Sequence, residues 1–101
     1  MNIGKMMKDL QRMQAKMQDD LETLEIEGSA GGGVVTTRMN GKKQLLAVKL
    51  SPEAITPDDP ELMADLFVAA VNDAGRKVDE EVERMTKGLT SGLNLPGFLR
   101  P

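Results

Sequence analysis

A chain of 101 residues makes one small domain with a thin core, and its net charge of −3 argues against a general nucleic-acid binder, so any basic face must be local. The absence of Cys and His excludes a disulfide scaffold, a thiolate zinc site and the usual nucleophile–base pairs of covalent catalysis. With only two Phe, no Trp or Tyr, and eight Met, the apolar surface sits on long helices rather than in a core of large residues, which suggests burial against a second copy.

The first element, residues 1–24, reads as an amphipathic helix. Ile3, Met6, Leu10, Met13, Met17, Leu21 and Leu24 recur at three- and four-residue spacing and fall in a sector of roughly 80°. Such a narrow stripe suits one or two packing partners. Met1 to Lys16 interleaves charged and apolar residues, unlike a signal peptide, and no stretch reaches transmembrane length. The expectation is a cytoplasmic protein with no membrane partner.

Residues 25–50 read as a short antiparallel three-stranded sheet. Leu24, Ile26 and Gly28 alternate with acids and predict a first strand over Leu24 to Gly28, before Gly31-Gly32-Gly33. Val34 to Met39 and Lys42 to Leu50 flank Asn40-Gly41, a strong hairpin signal because both residues tolerate positive φ. A two-residue turn sets Val35 opposite Leu46 and Thr37 opposite Gln44; a longer loop through Lys42 and Lys43 shifts that register. An isolated hairpin is marginal in water, so the helical segments on both sides are expected to cover it.

Ser51-Pro52 ends the sheet, and Pro52 to Ile55 is expected to make one helical turn. An Asp cap, Pro60 and Glu61 then open a helix over residues 60–87, with Gly88 as its stop. Met63, Phe67, Ala70, Ala74, Val78 and Met85 share one side, flanked by Leu66, Val71 and Val82. Residues 88–101 form an extended apolar tail carrying Leu93, Leu95, Phe98 and Leu99, expected to dock on the partner protomer or a groove near it.

The acidic clusters, Asp58-Asp59 and Asp79 to Glu83, are better explained by a helix start and a solvated helix face than as metal ligands. Gly31-Gly32-Gly33 leads into a strand, whereas a phosphate loop leads into a helix. An enzyme is therefore not expected, and no cofactor or metal is called for.

The basic residues are more informative. Lys5, Lys8, Arg12 and Lys16 share one face of the first helix, well clear of the apolar stripe. Lys16 has Asp19 and Asp20 nearby, Lys5 and Arg12 share Asp9, and Lys8 has no acid three or four residues away. In the second helix Asp73–Lys77, Glu80–Arg84 and Glu83–Lys87 have the spacing of intrahelical pairs. Lys42 and Lys43 lie at the hairpin tip, where lysines also serve to keep an edge soluble.

The order of these features resembles the YbaB/EbfC family of bacterial nucleoid-associated DNA-binding proteins. The resemblance is carried by Met6-Met7, Leu10, Gln11 and Met17 on the first helix. It continues through Glu27 to Val35, Asn40-Gly41-Lys42, Asp65 to Ala74 and Thr90 to Gly97. The chain departs from the family pattern in its net acidity and at Gly75, where the family commonly has a larger apolar residue. The resemblance implies a homodimer whose sheets form a shared centre, with paired helices projecting around DNA.

The combined expectation is a single α+β domain in helix–strand–hairpin–helix order, stable as a dimer, that binds duplex DNA through the phosphate backbone. Its candidate contacts are Lys5, Lys8, Arg12 and Lys16, then Lys42, Lys43 and Arg84. The candidate dimer interface comprises Met6, Leu10, Met13, Met17, Phe67 and Leu95. The rival expectation is an adaptor for replication or recombination proteins, using the Met-rich stripe and the apolar tail.

Overall fold

The computed structural model describes the backbone of residues 2–93 and the side chains of residues 2–88. The order is α1 (Ile3–Thr23), β1 (Ile26–Ala30), a short 3-10 turn (Gly31–Gly33), β2 (Val35–Met39), β3 (Leu45–Leu50), a second 3-10 turn (Pro52–Ala54) and α2 (Pro60–Leu93). The strands form an antiparallel sheet in the order β1-β2-β3. The fold is thus α+β, as the sequence predicts.

α2 crosses one face of the sheet over β1 and β2. Period-two alternation turns Val35, Thr37 and Met39 toward it, and all three are buried. On the helix side Ala70, Ala74 and Val78 are buried in turn, as the apolar periodicity predicts, with Leu66, Val71 and Val82 packed at the margins. Two small clusters result: Val35, Ala54 and Ala70, and Met39, Ala74 and Val78.

The small helix residues allow unusually close contact. A Cβ at Gly28 would lie 2.2 Å from the Ala74 nitrogen and 2.6 Å from the Ala70 carbonyl oxygen, so β1 rests directly on the α2 backbone. Buried Thr37 donates its hydroxyl to the Ala70 carbonyl at 2.8 Å. The Ser29 amide donates to the Asp73 carboxylate at 2.9 Å. This bond, followed by that from Lys77, holds the Asp73 pKa at about 2, below its ordinary 3.8.

The hairpin takes the longer loop through Lys42 and Lys43, and its register is not that of a two-residue turn. Val35 pairs with Leu50, Thr37 with Val48 and Met39 with Leu45, with a bulge beside Arg38 and Met39. The loop is closed by Asn40, whose amide donates to the Gln44 carbonyl at 3.1 Å and whose side-chain oxygen accepts from the Lys42 and Gln44 amides. Positive φ falls on Lys43, at 61°, not on Asn40 or Gly41. Gly41 serves packing instead: its amide donates to the Leu21 carbonyl at 2.7 Å, and a Cβ there would meet the Leu21 backbone at 2.8 Å.

Three other boundaries move. The first strand begins at Ile26 and continues to Ala30, because pairing with β2 extends to Ala30 opposite Val35. α2 starts as expected, with Asp59 accepting from the Leu62 amide at 3.1 Å and Pro60 as its first residue. It does not stop at Gly88 but continues to Leu93; a glycine inside a helix costs only ~1 kcal/mol. Of the expected tail, residues 94–101, including Leu95, lie outside the described residues.

α1 departs most from expectation. It does not cover the sheet, and none of its residues is buried. It meets the hairpin tip at its C-terminal end and projects from there. The radius of gyration, 19.0 Å, exceeds the ~13 Å of a compact chain of this length.

Gly28→Ala should lower stability by about 3 kcal/mol or more, since helix backbone cannot yield to the added methyl. Gly75→Ala, whose Cβ would meet nothing within 4 Å, should raise it by ~0.5–1 kcal/mol. Urea titrations followed by circular dichroism measure both. For Asp73, the depressed folded-state pKa makes its contribution to stability complete above the unfolded value and progressively lost as pH falls toward about 2. The stability gap between wild type and Asp73→Asn should therefore be open at neutral pH and close through that acid window; a gap independent of pH would refute the assignment.

Candidate nucleic-acid interface

The electrostatics divide the cations into two groups. Arg38 is paired with Glu25, Lys42 with Glu22 at 2.7 Å, and Lys43 with Asp79 at 2.9 Å. On α2, Arg76 bridges Asp73 and Glu80, Lys77 joins Asp73, Arg84 joins Glu81 and Lys87 joins Glu83. Hydrogen bonding to Asp73, reinforced by the Glu80 charge, raises the Arg76 pKa above its ordinary value. The expected Asp73–Lys77 and Glu83–Lys87 pairs are present, but Glu80 turns to Arg76 and leaves Arg84 to Glu81.

Among the described residues Lys5, Lys8, Arg12, Lys16 and Lys49 have no ion pair. All are exposed. Lys49 lies alone on β3, while the other four form a row along α1. The helical period sets that row ~140° from the apolar stripe, so covering the stripe leaves the cations in solvent.

The row is not explained by helix stability. A helix favours acids at its N-terminus and cations at its C-terminus, each contributing ~0.3–1 kcal/mol. α1 reverses this order: its first turn has no acid and its last turn no base, while Lys5 and Lys8 lie near the start and Asp19, Asp20 and Glu22 near the end. Its N-terminal cap is neutral, the Asn2 side chain accepting from the Lys5 amide at 3.1 Å. These charges are thus placed against the helix dipole.

The other predicted site residues are held differently. Lys42 and Lys43 tie the hairpin tip to α1 and α2 through partners distant in sequence. Five of the clustered acids are engaged as well: Asp59 caps α2, and Asp79, Glu80, Glu81 and Glu83 are paired with cations.

Two apolar surfaces are incomplete. α2 leaves the helix-side face of β3 bare, so Leu45, Val48, Leu50 and neighbouring Phe67 remain 38–43% exposed. A cleft of ≈ 320 Å³ opens there, lined by Val35, Leu50, Ala54, Met63 and Phe67. On α1, Ile3, Met6 and Leu10 are 50–71% exposed. Met13 and Met17, expected in one interface with Met6 and Leu10, line a groove of ≈ 420 Å³ with Met85 of the same chain. Sequence reading had no signal for either opening, because each depends on how far α2 overlaps its neighbours.

No helix among the described residues is long and apolar enough to cross a membrane. The backbone resembles the crystal structure of an uncharacterized protein from Helicobacter pylori, with a TM-score of 0.72 over 87% of this chain and 92% of that one, at 18% identity. A nucleoid-associated protein of Clostridium novyi is 47% identical over 101 residues, covering 97% of this chain and 89% of its own. One from Afipia carboxidovorans is 46% identical over 96 residues, covering 92% and 91%. The profile of the YbaB/EbfC DNA-binding family matches residues 1–93, and the chain belongs to that family.

Proposed function

We propose that this protein binds duplex DNA as a homodimer, chiefly by phosphate neutralisation through Lys5, Lys8 and Arg12 of each copy, and so organises the nucleoid or modulates transcription. The observation that carries the reading is the α1 cation row: exposed, without ion partners among the described residues, and ordered against the helix dipole. Membership of a DNA-binding family and the relatives' description as nucleoid-associated support DNA as the partner. Lys16 extends the row. Lys42, Lys43 and Arg84 are secondary, because a phosphate must displace their carboxylates. Contacts of this kind position a protein on the duplex without reading bases, so sequence preference is weak.

The dimer reading rests on the two incomplete apolar surfaces. A projecting helix of 21 residues with no buried side chain has little reason to persist alone in water. A second copy covers Phe67 and the bare face of β3, together with Met6 and Leu10 on the outer part of α1.

If folding is linked to association, the thermal midpoint should rise with protein concentration. Sedimentation as a monomer at micromolar concentration would eliminate the dimer. For DNA, three cations from each copy give ~6 phosphate contacts and a log affinity–log salt slope of roughly −5. Replacing Lys8 and Arg12 by Ala should weaken binding similarly on any duplex and flatten that slope, with stability changed by less than ~1 kcal/mol. If this double variant binds normally while changes at Lys42, Lys43 or Arg84 abolish binding, the interface lies on another element. Wild-type protein that shifts no duplex at physiological salt is an adaptor for other proteins.

A further inference from the structure

Asn40-Gly41, at the hairpin tip, is the one Asn-Gly step in the chain. Such a step is the most prone to deamidation, because glycine has no Cβ to hinder attack by its nitrogen on the preceding side-chain amide. In the fold neither reacting group is available. Asn40 is only 4% exposed. Its side-chain nitrogen donates to Gln44 Oε1 at 2.7 Å, and its side-chain oxygen accepts from the Lys42 and Gln44 amides at 2.9 and 3.1 Å. The Gly41 amide, which must lose its proton to become the nucleophile, donates to the Leu21 carbonyl at 2.7 Å. That carbonyl lies in the last turn of α1, where carbonyls find no partner within the helix. We propose that Asn40 is a deamidation site gated by the docking of α1 on the hairpin tip, and that its isoaspartyl product releases α1 from the tip.

The reaction consumes water alone. With the tip open, the Gly41 nitrogen loses its proton to hydroxide and attacks Asn40 Cγ. The N–Cγ bond forms, the Cγ–Nδ2 bond breaks, and ammonia leaves with a proton taken from water. Water then opens the resulting cyclic imide. Cleavage at Cγ gives aspartate on an ordinary backbone; cleavage at the main-chain carbonyl carbon gives isoaspartate, with the backbone routed through Cγ. Aspartate fits the tip, since its oxygens still accept from the Lys42 and Gln44 amides and the Gln44 side chain can turn its own amide to donate. Isoaspartate does not fit. It adds a methylene ahead of Gly41, where even a Cβ would lie 2.8 Å from the Leu21 carbonyl oxygen. The gate is local: α1 has no buried side chain, so its docking belongs to the low-stability end of the fold and opens without the sheet. Neither DNA nor a second copy takes part.

Incubation of the full-length protein in mildly alkaline buffer, followed by peptide mass spectrometry, tests the gate. Asn40 should deamidate at least about tenfold more slowly in the native protein than in urea, a factor that matches the protection of the Gly41 amide against hydrogen exchange. Leu21→Gly combined with Glu22→Lys loosens the end of α1 and breaks its ion pair with Lys42, yet leaves every partner of the Asn40 side chain in place. Deamidation of Asn40 should then rise several-fold, while Asn72, inside α2, stays unmodified. Once isoaspartate has formed, the amides of residues 21–24 should exchange several-fold faster, whereas Asn40→Asp should leave them protected. Deamidation of native protein at the unfolded rate, an unchanged rate in the double variant, or equal acceleration at Asn72 would each overturn the proposal. So would identical exchange of α1 in the isoaspartyl and wild-type proteins.

Discussion

The fold depends on one approach of backbone to backbone, where β1 at Gly28 lies on α2 between Ala70 and Ala74. With no side chain separating them, helix and strand come close enough for polar groups to bridge the layers. Thr37 reaches the Ala70 carbonyl and Asp73 receives the Ser29 amide. The closeness is bought with size, since Gly and Ala contribute little apolar area. Val35, Met39 and Val78 then supply most of the bulk in a core that is narrow and divided into two clusters. A domain built this way retains apolar surface that it cannot bury alone, because α2 spans β1 and β2 but not β3.

The charge distribution follows from the same architecture. Arg38, Lys42 and Lys43 near the sheet and the paired cations of α2 have acids within reach, on a neighbouring element or one helical turn away, whereas Lys49 on β3 has none among the described residues. α1 leaves the body of the protein, so its outward cations meet no carboxylate from another element among the described residues. Asp9 is near enough in sequence to pair with Lys5 or Arg12 but makes no ion pair among the described residues. A protein with a net negative charge thereby presents one locally positive helix face, which reconciles its composition with membership of a DNA-binding family.

Features governed by short-range chemistry were legible in the sequence. The periodic stripe of α1, the Asp59-Pro60 start of α2 and the buried row Ala70, Ala74 and Val78 all depend on spacing or capping within a few residues. The hairpin was legible as a hairpin, but its register was not. Asn40-Gly41 suggested a two-residue turn, whereas Gly41 is required by contact with Leu21, and the positive φ sits on Lys43. Gly88 likewise suggested a stop that the helix does not make. The cation row was readable on a helical wheel, yet the pairing of Lys42 with Glu22 and Lys43 with Asp79 depends on tertiary placement. So does the groove beside Met85, which no periodicity within either helix reveals.

The contact between Gly41 and Leu21 also has a mechanical meaning. It anchors α1 near one end, making the rest of the helix a lever arm with its fulcrum at the hairpin tip. Lys5 lies ~24 Å from that fulcrum by helical rise. A swing of about 10° displaces it by roughly 4 Å, comparable with the ~3.4 Å separation of successive charges along one DNA strand. Lys16, closer to the fulcrum, moves by only about 1 Å for the same swing. Displacement along the row is therefore graded by geometry alone, small at its root and larger at its tip.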